Sequence, residues 1–186
     1  MPKSKTSKKE VISKVIPILR LRGINNSSMS ELAKACGIQK SHFYYYFNNK
    51  EALVKEVLAS IHSYFKYNFF KIIENRTLSI QDKIKKINFL IDTMFKNADG
   101  CIMANTALET AHLNPTYQDE IKHFFTDFIL GLSVLLQPNY SEEETLVLAE
   151  QIVQDLEGGI LLMRIYDDHK YVNNAMKRME KIILNS

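Results

Sequence analysis

Lys40, Ser41, His42, Tyr44, Tyr45 and Lys50 crowd one short span of the chain. Their types are those that meet nucleic acid. Cations and phenols bind phosphate oxygens, while hydroxyl and imidazole groups reach base edges. Phe43 and Phe47 stand four apart in the same run and share one helical face, which leaves the polar set on the other faces. Upstream, Ser28 and Glu31 have the spacing of a capping box, so a helix starts there with free backbone N–H groups. Gly37 lies between the two patterns and supplies the positive φ that ends one helix and opens a tight turn. A capped helix, a glycine turn and a second helix with polar aromatics outward describe a DNA-reading helix-turn-helix.

Other reactive residues form no comparable group. His62, His112, His123 and His169 lack paired ligand spacing on any one helix, so no metal site is expected. There is no glycine-rich phosphate cradle, no cofactor is called for, and Asp167-Asp168 reads as a solvated turn. Cys36 and Cys101 are far apart in sequence, which argues against a disulfide and fits a reducing cytoplasm. Cys36 falls in the helix-turn-helix core. Cys101 follows Gly100 in the expected first turn of a helix, where the dipole favours a thiolate. Two readings stand there: a small cysteine chosen for packing, and a reactive thiol.

Charge divides the chain. Residues 1–50 carry ten Lys/Arg against two acids, a balance of +8, while residues 51–186 carry fourteen against nineteen, a balance of −5. A basic first part joined to an acidic remainder suggests a nucleic-acid module attached to something else. No apolar run approaches the ~20 residues a membrane span needs, and the basic start MPKSKTSKKE leads into no apolar signal core.

The elements that position these residues are all helical. Residues 1–6 read as a disordered arm, and helix one spans 7–22 on the stripe Val11, Val15, Ile18 and Leu19, with Pro17 expected to kink it near Ser13. After the helix-turn-helix, a long helix runs from Lys50 to about Asn75, a fifth from Ile80 to about Asn97, and a short sixth opens at Gly100. Asn114-Pro115 ends the sixth, and the seventh spans 116–136. Ser141 caps an eighth over 142–166, and the ninth covers 170–184. Phe65, Phe69, Phe89, Met94, Met103, Phe124, Phe128 and Met163 are core candidates singly. As a Phe- and Met-rich set they suit a hydrophobic ligand pocket, with Cys101 beside it and with Asn105 and Glu109, four apart, orienting a polar group. Gly158-Gly159 inside helix eight costs about 1 kcal/mol per glycine against alanine, which close helix approach at an interface would justify.

The run GIQKSHFYYYFNNKEAL resembles the recognition segment of the TetR/AcrR family of bacterial regulators. Gly37, Lys40, Tyr44, Phe47, Lys50, Glu51 and Leu53 stand where that pattern has them. Gln39, Ser41 and His42 depart from it, and Gln39 removes a good N-cap. Gly100, Cys101, Ile102, Asn105 and Glu109 resemble the opening of the sixth helix in several subgroups. The resemblance implies an all-α fold of about nine helices, with a DNA-binding domain over 1–50 and a ligand-binding and dimerisation domain over 51–186. It implies a homodimer through the last two helices, at Leu156, Gly159, Ile160, Met163, Met179 and Ile183, on a palindromic double-stranded operator. Ser28, Lys40, Tyr44 and Lys50 would then meet phosphate, and Ser41, His42 and Tyr45 bases. The implied function is a repressor released by a small hydrophobic effector. A cysteine-based electrophile sensor and a helical adaptor or enzyme carrying a helix-turn-helix stay open beside it.

Overall fold

The computed structural model describes residues 7–96, 99–110 and 115–185. The expected arm at 1–6, the end of helix five at Asn97, and the break at His112 and Asn114 lie outside them. Among the described residues there are nine α-helices and no strand: α1 Lys8–Arg22, α2 Met29–Cys36, α3 Lys40–Tyr46, α4 Lys50–Ile73, α5 Ile80–Phe95, α6 Ile102–Thr110, α7 Gln118–Leu136, α8 Glu142–Tyr166 and α9 Lys170–Leu184. A single 3-10 turn, Pro115–Tyr117, precedes α7, which therefore starts two residues later than its apolar pattern suggests.

Side-chain caps set most boundaries. Ser7, Ser28 and Ser141 each accept from the N3 backbone while Glu10, Glu31 and Glu144 reach back, closing three capping boxes. Asn49 accepts from the Ala52 amide at 2.8 Å and starts α4. Gln39 caps α3 only through its backbone, as its side chain makes no cap bond. Pro17 does not break α1, which is continuous from Lys8 to Arg22. Cys101 lies ahead of α6 rather than in its first turn, because the helix begins at Ile102.

The chain forms two compact units. The first gathers the described residues up to Ile61 with those between Ile102 and Ile121, and the second takes His62 to Cys101 and Lys122 onward. The first unit thus draws α6 in from forty residues further along the chain. Its core is apolar and closed: Val11, Val15, Leu32, Phe43, Leu53, Val57 and Leu58 are fully buried. In the second unit Phe65 stacks on Phe69 with centroids 4.9 Å apart, and Phe128 stands edge-on to both at 4.9 and 5.3 Å. A Cβ on Gly131 would sit 2.4 Å from the Phe69 ring. Gly131→Ala should therefore cost about 1–3 kcal/mol in chemical denaturation. A neutral result would mean that the ring can move aside.

In the second unit α8 packs along α9. Gly159 makes this possible, because its α-carbon lies where a Cβ would come within 3.0 Å of the Tyr171 carbonyl and 3.2 Å of the Ala175 methyl. Arg178 donates to both Asp155 oxygens at 2.6 and 2.7 Å, tying the two helices at their edge. Leu156, Gly159, Ile160, Met163, Met179 and Ile183, the residues expected between two copies, are all buried inside this unit of the single chain. The reason is the period of α8. Its inward stripe is spent on α9, and a second stripe, Val147, Gly158, Leu161 and Ile165, is left exposed.

Candidate nucleic-acid interface

Hydrophobic anchoring fixes the outward face of α3. Phe43 is buried completely and Phe47 almost so, with their rings 5.6 Å apart. With that face turned inward, Tyr45 is left 80% exposed and Tyr44 39% exposed, and Lys40 and Ser41 are exposed beside them. His42 is half-buried, its ring tilted against Tyr46 at 5.0 Å and Tyr45 at 6.2 Å between centroids, so it is held by its neighbours rather than free. Lys40 Nζ lies 5.9 Å from the Tyr44 ring centroid, which holds a cation beside a phenol.

The neighbouring helix starts complete the surface. Ser28 is exposed at the cap of α2, and its hydrogen bonds hold the Glu31 carboxyl below its usual range. Lys50 is half-buried as the first residue of α4. It faces the positive end of that helix's dipole, a poor place for a cation unless an anion joins it. Every sequence-predicted contact residue from Ser28 to Lys50 falls in the first unit. Behind the motif, Lys14 Nζ donates to the Cys36 carbonyl at 3.2 Å and satisfies the end of α2. Burial pushes the Cys36 thiol up, which favours its protonated form.

The expected ligand residues divide between the units. Met103, Asn105 and Glu109 belong to the first, and Phe65, Phe69, Phe89, Met94, Cys101, Phe124, Phe128 and Met163 to the second. Within the second, Phe65, Phe69, Phe124 and Phe128 form one buried cluster, with Met163 buried too. Phe89 is apart from it. It is 73% exposed and borders a cleft of about 300 Å³ with Tyr64, Lys71 and Lys86. A broader groove of about 970 Å³ runs over Tyr67, Phe70, Leu130, Val134 and Leu146. Asn105 keeps its Nδ2 buried with no partner among the described residues. Glu109 is engaged, since its Oε2 accepts from the Asn25 amide at 2.8 Å.

Two contacts were not legible from spacing. His62 Nε2 meets Asp127 Oδ2 at 2.7 Å, and Lys66 Nζ reaches the same oxygen at 2.9 Å. Burial opposes the charge on Asp127, yet the hydrogen bonds from Lys66 and His62 hold its carboxyl below the usual range. The Cys101 thiol donates to Glu157, and burial pushes that carboxyl up to about 7. Both pairs join residues more than fifty positions apart, beyond any local pattern.

Comparison with known proteins agrees with this geometry. The family model for bacterial regulatory proteins of the tetR family matches residues 18–57. A second, described as transcriptional regulator LmrA/YxaF-like, C-terminal domain, matches residues 80–178, more than half of the chain. An uncharacterized HTH-type transcriptional regulator of Bacillus subtilis (strain 168), YdgC, is 26% identical over 93 residues, which is 50% of this chain and 48% of that protein. The chain thus spans about half the length of that relative. An uncharacterized HTH-type transcriptional regulator in the lacX 3′ region of Lactococcus lactis subsp. lactis is 20% identical over 173 residues, covering 88% of this chain and 86% of the other. The crystal structure of a TetR transcriptional regulator from Legionella pneumophila superposes with a TM-score of 0.87 at 28% identity, over 97% of this chain and 98% of that one. Two family models and a fold shared along nearly the whole length therefore place the chain in the TetR family of bacterial transcriptional regulators.

Proposed function

We propose that the chain is a cytoplasmic homodimeric repressor. It reads a palindromic operator with α3 and leaves it when a small hydrophobic effector binds the second unit. The observation that carries this reading is the outward face of α3, where Tyr44, Tyr45, Lys40 and Ser41 stand exposed on a helix locked from behind by Phe43 and Phe47. Lys40, Tyr44, Lys50 and the Ser28 amide take phosphate, and Ser41, His42 and Tyr45 take base edges. The chain works by binding alone, with no cofactor. Its dimer face is the exposed α8 stripe of Val147, Gly158, Leu161 and Ile165, in place of the buried residues the sequence suggests. The effector works on the cluster of Phe65, Phe69, Phe124 and Phe128, whose rings offer an apolar, polarisable lining.

The test is duplex binding across a salt series. A duplex selected from a random pool should bind tightly and weaken steeply with salt. Lys50→Ala should weaken all sequences alike and lower the salt slope by about 1. His42→Ala should change base preference more than salt slope. If Lys50→Ala and Tyr44→Phe both leave affinity unchanged, the docking assignment fails.

One contact favours a second reading of the signal. Cys101 donates its thiol hydrogen to Glu157, whose ionised form, present above about pH 7, takes that proton as sulfur adds to the β-carbon of an electron-poor alkene and the alkene π pair shifts onto its activating carbonyl. Cys101→Ser should then abolish release of DNA by an alkylating agent. A variant that responds like wild type excludes this route.

A further inference from the structure

The loop between α1 and α2 sets where the DNA-reading motif starts, and it is held from outside the motif. Gly23 ends α1 with φ +79°, and its amide donates to the Leu19 carbonyl at 2.9 Å. Ser27, buried, returns its hydroxyl to the Gly23 carbonyl at 2.8 Å. Those bonds close the loop on itself but leave the Asn25 amide without a backbone acceptor. Glu109, near the end of α6, supplies it: Oε2 accepts from the Asn25 N–H at 2.8 Å, and the Asn25 side chain donates to the Glu109 carbonyl at 3.4 Å. The same carboxylate lies over Gly23. A Cβ there would sit 2.3 Å from Glu109 Oε1. Glycine is thus favoured at position 23 by its backbone angle, and a Cβ there would push the Glu109 carboxylate off its seat over the loop.

We infer that Glu109 is a positioning residue for DNA recognition: through the Asn25 amide and the Gly23 face, α6 fixes the loop that orients α2 and α3. All of these contacts lie inside the first unit, which explains why that unit draws in α6 from a distant part of the sequence. The sequence assigned Glu109 to a ligand; the structure gives its carboxylate to the motif instead. This inference rests on the DNA-binding reading above.

The test pairs amide exchange with duplex affinity. In Glu109→Ala the Asn25 amide should exchange at least tenfold faster than in wild type. Affinity for the wild-type-selected duplex should fall about tenfold, with helix content unchanged. Glu109→Gln keeps an acceptor oxygen and should restore both to within about twofold. Gly23→Ala should weaken binding strongly in the wild-type background and less in Glu109→Ala, because the clash with the carboxylate is then gone and only the φ strain remains. If Glu109→Ala folds poorly, Glu109→Asp, which keeps the charge and shortens the reach, is read in its place by the same amide exchange and duplex affinity. Unchanged affinity in Glu109→Ala, or additive effects in the cycle, overturns the positioning role while leaving the DNA reading intact. A wild-type chain that selects no duplex overturns both.

Discussion

A chain carrying Gly159→Glu is expected to lose its fold, while Gly158→Glu keeps its fold and loses its partner. The two glycines are adjacent, about 100° apart around the helix, which leaves Gly158 exposed and Gly159 buried. At Gly159 any Cβ meets the Tyr171 carbonyl at 3.0 Å and the Val172 α-carbon at 3.2 Å. These are backbone atoms of α9, so only a separation of the helices relieves the contact. The carboxylate would also be buried without a cation, and together the effects should cost about 4 kcal/mol. At Gly158 nothing lies within 4 Å of the added carbon, and the position is exposed between Gln154 and Leu161. A glutamate there meets water in one copy and a second copy's α8 in the proposed dimer. Sedimentation should report a folded Gly158→Glu monomer and wild-type dimers at micromolar concentration. Far-UV dichroism should report a largely unfolded Gly159→Glu at 37 °C. Because assembly adds to apparent stability, the Gly158→Glu melt should lie below that of the wild-type dimer and above that of wild type diluted below its dimer constant only by the ~0.5–1 kcal/mol of helix propensity that the glycine gives up. A Gly159→Glu variant that melts like wild type would mean that α8 and α9 do not meet at this point.

That contrast also marks how far the sequence reaches. Element existence was legible wherever a local signal was complete. Ser28 with Glu31, Ser141 with Glu144, Gly37 and the four-residue step from Phe43 to Phe47 all sit where their spacing predicts. The capping box of Ser7 and Glu10 carried the same signal. What spacing does not carry is which of two apolar stripes on one helix meets its own chain. Towards the C-terminal end of α8 both stripes are apolar, and only the register against α9 decides that Ile160 is inside and Leu161 outside. Phe89 is a similar case. Its helix is amphipathic through Ile84, Ile87 and Ile91, and Phe89 falls off that stripe, so its type suggested the buried aromatic cluster while its phase puts it at the rim of the open cleft beside Tyr64. Long-range polar pairs were silent. Glu109 and Asn25, Glu157 and Cys101, and His62 and Asp127 each join ordinary-looking residues across the chain, and their meaning comes from the partner alone.

Glu157 has the largest expected effect on stability among the described titrating groups. Burial lifts its carboxyl from the ordinary 4.5 to about 7, and the hydrogen bond from Cys101 offsets that only in part. The unfolded chain gives up this proton near 4.5 and the folded chain keeps it to about 7. Across that window the folded state binds more protons, so stability falls as pH rises and levels off above 7. The difference amounts to about 3 kcal/mol. Glu157→Gln keeps a carbonyl oxygen for the Cys101 thiol and cannot ionise. Its melting temperature should match that of wild type at pH 4.5 and exceed it by about 6–10 °C at pH 8, as expected for a domain of this size. Calorimetry at fixed protein concentration across pH 4.5–8 measures this directly. A constant offset between the two proteins at every pH would assign the effect to packing. A lower melting temperature for Glu157→Gln at pH 8 would mean that the carboxylate is ionised and paired in the folded chain, and would overturn the assignment of a protonated acid beside Cys101.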